Sequence, residues 1–343
     1  MKLLLAFLLV NLFLINDPFA QTIYVAPNGS DQNPGTAEQP LATLTAARDR
    51  IKLLRKQNPS AQHAWQVIIR KGEYIMPETL NLSVDDSGTE TSPLLFKGEE
   101  GAMPVFYGGF FLNKFERISD SLWKTDVPQV RRYGWRFEQL YVNGSRAIRA
   151  QSPNVGFYKP VSVKETVIVN GDGRAPELAV QQIKIPAEAA NRIKNLNEED
   201  LKDAVITFYH HWDNTKKPVQ FYNAADTSIY ISGEGMKPWN PVTTASLFAI
   251  ENVSSALDAP GEWFLESSGT LYYYPKPGET IETTTAMAPA LDKFITLSGN
   301  AATGEKIKNI RFENISFRVA GYRMPAGGVE PAQSAAPIAA VIE

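Results

Sequence analysis

No cysteine occurs among the 343 residues. That absence excludes disulfides, thiol nucleophiles, Cys-ligated metals and a lipid-modified N-terminal Cys as an anchor. Histidine is scarce as well, with three in the whole chain, and a strong excess of either charge is missing: 34 basic residues face 37 acidic ones, a formal charge of −3. Such a balance gives no reason to expect nucleic acid or an anionic membrane as a partner. Beyond residue 20 there is also no run long and apolar enough to cross a bilayer. A chain of this size buries enough core to do without disulfides.

What is present begins with a leader. Lys2 precedes a mostly apolar run over 3–15, and Pro18-Phe19-Ala20 closes a short polar region. Residues 1–20 therefore read as a secretory signal, too short in its apolar part to span a membrane. The expected location is secreted or periplasmic, with no membrane insertion once the signal is cleaved.

The organising stretch is 308–317, Lys-Asn-Ile-Arg-Phe-Glu-Asn-Ile-Ser-Phe. Ile310 and Phe312 alternate with polar neighbours as on one face of a strand. The alternation then slips by one residue at Asn314 and restarts at Ile315 and Phe317. A flat sheet has no use for that slip, but a chain that bends into a second short strand does, and Asn tolerates the left-handed geometry of such a bend. Phe294-Ile295-Thr296-Leu297 has the spacing of the preceding coil of a solenoid, in which each coil buries its apolar face on its neighbours. An open solenoid end needs a polar-backed cap. Residues 41–56 supply an amphipathic helix for it, with Leu41, Leu44, Ala47, Ile51 and Leu54 on one side, Thr43 as N-cap and Asn58-Pro59 as the stop.

The opening Tyr-Val-Ala-Pro-Asn-Gly-Ser-Asp-Gln-Asn-Pro-Gly-Thr (24–36), followed by Gln-Pro-Leu-Ala-Thr-Leu (39–44), resembles the N-terminus of secreted right-handed β-helix proteins that act on polysaccharides. Asp31 and Asn33 in it read as turn residues rather than calcium ligands, because no further acidic ligands follow at suitable spacing. Asp85-Asp86 and Glu99-Glu100 read as solvated loop acids.

The pattern changes near Phe115. Residues 138–146 run as a strand into an Asn143-Gly144 turn, 186–203 read as helical with Asn197 and Asp200 spaced as a capping box, and Trp263-Phe264-Leu265 with Leu271–Tyr274 read as a hairpin. The expected fold class is all-β: a right-handed parallel β-helix with an N-terminal capping helix and an inserted mostly-β domain. Its parts would be residues 21–112 (cap and first coils), 113–285 (insertion) and 286–343 (coils resumed).

Two stretches narrow the resemblance. Phe137-Glu138-Gln139-Leu140-Tyr141-Val142-Asn143-Gly144, continued by Ala150-Gln151-Ser152-Pro153-Asn154, and Gly261-Glu262-Trp263-Phe264-Leu265 with Gly269-Thr270-Leu271-Tyr272-Tyr273-Tyr274-Pro275 look like the β-helix enzymes of glycoside hydrolase family 141. Those enzymes carry an insertion domain of this kind and include α-L-fucosidases and xylanases acting on plant cell-wall polysaccharides. The resemblance implies a polysaccharide or oligosaccharide substrate and catalytic acids on later coils, beyond what corresponds to Glu343. The last residues, 338–343, read as a strand with no cap after it, as expected of part of a longer chain.

Glycosidic hydrolysis uses two carboxyl groups, about 5 Å apart for retention or about 6.5–9.5 Å for inversion. No such pair stands out in the sequence, and no cofactor or metal is expected. One constellation bears on sugar contact: Val205–Asp213, Val-Ile-Thr-Phe-Tyr-His-His-Trp-Asp. Continued alternation would put Ile206, Phe208, His210 and Trp212 on one face, and Val205, Thr207, Tyr209 and His211 on the other. Aromatic faces beside directional hydrogen-bonding groups are what a sugar needs, so His210, His211, Trp212 and Asp213 are candidate substrate contacts, Asp213 doubling as a distant candidate acid. The plainer reading is a core strand with Trp212 packed and both histidines hydrogen-bonded. Arg146 and Arg149 would suit a uronate carboxylate, or ordinary ion pairs. A polysaccharide lyase on the same scaffold, or a non-catalytic carbohydrate-binding protein, are the alternatives to a hydrolase.

Overall fold

The computed structural model describes residues 20–58, 64–112, 114–330 and 340–343. The leader expected over residues 1–20 lies outside them, except that the backbone of Ala20 opens the first strand. The described chain divides into two compact units: residues up to Tyr74 with Leu80–Phe106 and Ile295–Ser316, and a second made of Ile75–Thr79, Tyr107–Phe294 and Phe317–Glu343.

In the first unit, β1 (Ala20–Val25), α1 (Leu44–Gln57), β2 (Ala64–Ile69) and β3 (Leu94–Gly98) come first, and the strand Ile310–Glu313 follows much later in the chain. The strands form one sheet in the order β1, β2, β3, Ile310–Glu313, every pair parallel. In register, Ile23 stands beside Val67, Val67 beside Phe96 and Phe96 beside Phe312, a column of apolar side chains along the sheet. The Phe96 and Phe312 rings stack at 5.0 Å. Asn309 and Asn314 bracket the last strand with φ of 55° and 53°, the left-handed turn geometry that Asn accepts most readily among non-glycine residues. A second parallel pair joins Leu80–Ser83 to Ile295–Ser298.

Thr43 caps α1 through Ala46 N–H, and Asp31 in turn accepts from Ala42 N–H, Thr43 N–H and the Thr43 hydroxyl. The helix buries Leu44, Ala47 and Ile51. Asp86 departs from the solvated-loop expectation. It is buried, accepts from Ser83 N–H, and pairs with Lys52 of α1 at 3.0 Å. The spacing of two adjacent acids carries no sign of which one a distant helix will cover.

The second unit is built mainly from antiparallel pairs, with Ile148–Arg149 joining Glu262–Leu265 in parallel. The Asn143-Gly144 turn forms as expected, with both residues at positive φ between paired Val142 and Ser145. Glu262–Leu265 pairs antiparallel with Thr270–Tyr273, and Trp263 stacks on Phe137 at 5.3 Å in one apolar core. The helical stretch over 186–203 is two helices, Ala187–Ile193 and Glu198–Asp203. The break falls before Asn197, whose Oδ1 accepts from Asp200 N–H and starts the second helix.

The sheet that matters for the site has the order Gln151–Ser152, β6 (Leu247–Glu251), β4 (Val205–Tyr209), β5 (Asn214–Pro218), all antiparallel. Ile206, Phe208, Phe248 and Ile250 face a second core. The fold is thus all-β in class, with small sheets that are parallel in one unit and mostly antiparallel in the other. These sheets do not by themselves amount to a parallel β-helix.

Candidate functional site

Strand β4 stops at Tyr209, where alternation stops predicting faces. Residues 210–213 form the turn of the β4–β5 hairpin, closed by His210 N–H donating to the Asp213 carbonyl at 3.0 Å. Beside this turn runs the segment 239–247, which leads into β6. Between them lies a cleft of about 440 Å³, walled by Tyr209, His210 and His211 on one side and by Trp239, Asn240 and Ser246 on the other. Its remaining lining, Pro241, Thr243, Ala245 and Leu247, has no ionisable side chain. Trp239 is 49% exposed and Tyr209 is also open to solvent, with Phe157 packed on Tyr209 at 4.7 Å.

The four sequence candidates separate here. His210 and His211 line the cleft. Trp212 does not; it stands 52% exposed, edge-on to the His211 ring at 4.8 Å, and not packed in a core strand. Asp213 does not reach the cleft either. Its side chain is 6% exposed, and it accepts from Asn240 Nδ2 at 2.7 Å with Lys237 Nζ 3.6 Å away. A carboxylate held in this way organises the wall and is poorly placed to donate or take a proton from a ligand.

His210 is tied from behind. Its Nε2 lies 2.7 Å from Thr215 Oγ1, and Thr215 in turn lies 2.9 Å from Glu330. Glu330 arrives there because Val329 pairs antiparallel with Lys216 of β5, exchanging both backbone hydrogen bonds. Gly328 makes this approach feasible: it has φ of 82°, and a Cβ there would come 2.3 Å from the Lys216 carbonyl. Burial raises the Glu330 carboxyl to about 7, against the opposing pull of Thr215, Lys217 and Lys237. Burial also lowers the His210 imidazole below its usual value, partly offset by Asp213 and by the backbone of Asn240 and Pro241.

Arg149, a candidate for a uronate carboxylate, is withdrawn from solvent. Its guanidinium stands 5.8 Å from the Trp263 ring centre, and burial holds it below the usual arginine value while Glu251, Glu138 and Asp203 oppose. Arg146 is exposed on the turn strand. Among the described residues no group of three His, Asp or Glu side chains could hold a metal ion. No described helix is long and apolar enough to cross a membrane.

Trp239, Asn240, Lys237 and Glu330 were not singled out by sequence reasoning. The Lys-Pro-Trp-Asn-Pro run at 237–241 did carry a signal, since prolines on both sides of a tryptophan disfavour a strand and leave the ring on a loop. Nothing local marks Glu330, which lies 115 residues from Thr215.

Comparison with known proteins places the cleft in context. Residues 120–276 match the family model of the GH141 insertion domain, so every cleft residue falls inside the match. The chain is 35% identical over 108 residues to "Uncharacterized protein YwoF" of Bacillus subtilis (strain 168), which is 32% of this chain and 19% of that protein. A solved structure described as "Glycoside hydrolase" superposes with a TM-score of 0.73 and 26% identity, over 90% of this chain and 52% of its own. The complex structure of XylC with xylose aligns at a TM-score of 0.41 and 14% identity, over 88% of this chain and 35% of its own. The chain therefore spans about a fifth of the curated relative and about half of the solved glycoside hydrolase. It is glycoside-hydrolase-like, with a GH141-type insertion domain.

Proposed function

We propose that this chain forms the substrate-gripping part of an exported glycoside hydrolase, and that the cleft between the β4–β5 hairpin and segment 239–247 takes a sugar unit of a plant cell-wall polysaccharide. The observation that carries the reading is the cleft's chemistry. Two open aromatic rings, Tyr209 and Trp239, stand beside uncharged hydrogen-bonding groups, with no fixed charge in the lining. A sugar ring presents apolar C–H faces to stack on aromatics and hydroxyls to be oriented by polar groups. A uronate would want an Arg or Lys, and the lining has neither, so a neutral fucose- or xylose-type unit fits better than pectate.

Under this proposal bond cleavage follows the two-carboxylate route, with the reacting pair outside the cleft, since Asp213 is already engaged by Asn240 and Lys237. The scaffold we infer is a right-handed parallel β-helix, residues 21–112 and 286–343 supplying the cap and coils around an insertion at 113–285. The parallel ladders, the Phe96–Phe312 stack and the left-handed Asn309 and Asn314 support it.

Incubation of the protein with xylan, fucosylated xyloglucan and pectin tests the reading. Saturable binding to a neutral glycan is expected, with reducing sugar and no ultraviolet-absorbing unsaturated product wherever cleavage occurs. Unsaturated product from pectin would overturn it in favour of a lyase.

A further inference from the structure

His210, Thr215 and Glu330 form a line of hydrogen bonds running from the cleft wall into the protein, and the line has one hydrogen too few to be drawn in both directions at once. Thr215 has a single hydroxyl hydrogen. If Glu330 is ionised, it accepts that hydrogen, and Thr215 Oγ1 must then accept from His210 Nε2–H. If Glu330 is protonated, it donates to Thr215, which donates to a bare Nε2, and the imidazole carries its hydrogen on Nδ1. His210 Nδ1 is buried and makes no hydrogen bond of good geometry, while the backbone of Asn240 and Pro241 lies beside the ring. Asn240 Oδ1 is likewise buried without a partner, in a residue 3% exposed.

We propose that Glu330 is a positioning residue for the cleft: through Thr215 it sets which ring nitrogen of His210 bears the hydrogen, and so whether the Asn240–Pro241 wall gains a second tie to the β4–β5 hairpin beside the Asn240–Asp213 hydrogen bond. The proton count closes with the uptake of one. A proton from water arrives at Nδ1, the Nε2 proton moves to Thr215, and the Thr215 hydroxyl proton moves to Glu330. The Nδ1–H form adds this second tie through a backbone carbonyl of Asn240 or Pro241, and the Nε2–H form leaves the Asn240–Asp213 bond as the remaining tie.

The groups facing Glu330 fix where the switch operates. Thr215, Lys217 and Lys237 favour its charged form, while burial and Asp213 favour the neutral one, and the balance falls near neutrality. Facing His210 are Thr215, Asp213 and Lys237; burial and Lys237 lower the ring below its usual value, against Asp213 and the backbone of Asn240 and Pro241. The doubly tied wall therefore belongs to the acid side of the transition and the singly tied wall to the alkaline side.

The consequence for ligand rests on the cleft's being a sugar site. If sugar binds the doubly tied form, its apparent Kd scales inversely with the doubly tied fraction, and affinity falls about tenfold between about pH 6 and about pH 8.

Ring nitrogen-15 NMR of the histidines separates the relay from the sugar reading. The expected result is an Nε2–H imidazole at His210 above the transition and an Nδ1–H imidazole below it. Glu330→Gln, whose amide donates to Thr215 at every pH, is expected to hold Nδ1–H throughout and to abolish the pH dependence of xylo-oligosaccharide binding. A tautomer that ignores pH in the parent protein, or that still switches in Glu330→Gln, overturns the relay. A tautomer that switches while xylo-oligosaccharide binds equally at both pH values overturns the coupling of wall to ligand. A switching tautomer with no binding at any pH leaves the relay standing and overturns the sugar reading.

Discussion

Asn240 Nδ2 donates to Asp213 Oδ1 at 2.7 Å, joining the two walls of the cleft by one partly buried hydrogen bond. Asp213 is thereby a structural acid, and its removal should act on stability before it acts on any chemistry. Asp213→Ala removes the carboxylate 3.6 Å from the buried Lys237 Nζ and the acceptor of Asn240 Nδ2. Loss of one member of a buried ion pair costs about 3 kcal/mol. Urea unfolding should show a loss of that order, and a variant of parental stability would remove Asp213 from this role.

Glu251 predicts a pH dependence of a definite sign. Burial pushes its carboxyl upward, but Lys216 and Arg149, with the hydrogen bonds from Lys216 and Thr207, outweigh it and hold Glu251 below the usual range. A carboxyl lowered in the folded state stabilises the fold above its unfolded value, about 4.3, and that contribution is lost as pH falls through the folded value. Thermal unfolding of Glu251→Gln should show its deficit near neutral pH, narrowing as the solution is acidified below about pH 4. A deficit that grows on acidification would contradict the assignment.

Gly98 tests the stacked sheet of the first unit. A Cβ at this position would lie 2.2 Å from the Asn314 carbonyl and 2.8 Å from Pro104 Cδ. Backbone cannot yield as a flexible side chain does, so Gly98→Ala should cost at least about 1–3 kcal/mol. The loss should appear as weakened amide protection in Leu94–Gly98 and Ile310–Glu313. Unchanged protection would mean that the two strands do not pack as closely as described.

The extent to which this was legible in advance divides by range. Local chemistry was readable: Thr43 and Asn197 cap helices because a side-chain oxygen sits three residues before a free N–H, and Asn143-Gly144 turns a hairpin because both residues accept positive φ. Alternation failed at a definite place. It carried through Phe208 and ended at Tyr209, because a hairpin turn has no faces to alternate, so His210 and His211 line one cleft together while Trp212 projects into solvent. The rest depends on contacts across the chain. Neither the burial of Asp86 by Lys52 nor the arrival of Glu330 behind Thr215 leaves a local trace.

Trp239 and Trp212 have nearly equal exposure but only the first lines the cleft. Trp239→Ala should therefore weaken xylo-oligosaccharide binding about tenfold, the loss expected from one aromatic stacking contact, with little change in Tm. Trp212→Ala should change affinity by no more than about twofold. Equal losses would show that exposed aromatic surface in general, and not this cleft, holds the glycan.

Most direct is a titration of the isotopically labelled protein with neutral and acidic cell-wall oligosaccharides, followed by NMR. The account predicts saturable shifts at the Trp239 indole N–H, the His211 ring and the Asn240 and Ser246 amides with a neutral xylose- or fucose-containing oligosaccharide, and none with oligogalacturonate. Absence of saturable shifts at these positions with every neutral glycan, or the same shifts with oligogalacturonate, would contradict it.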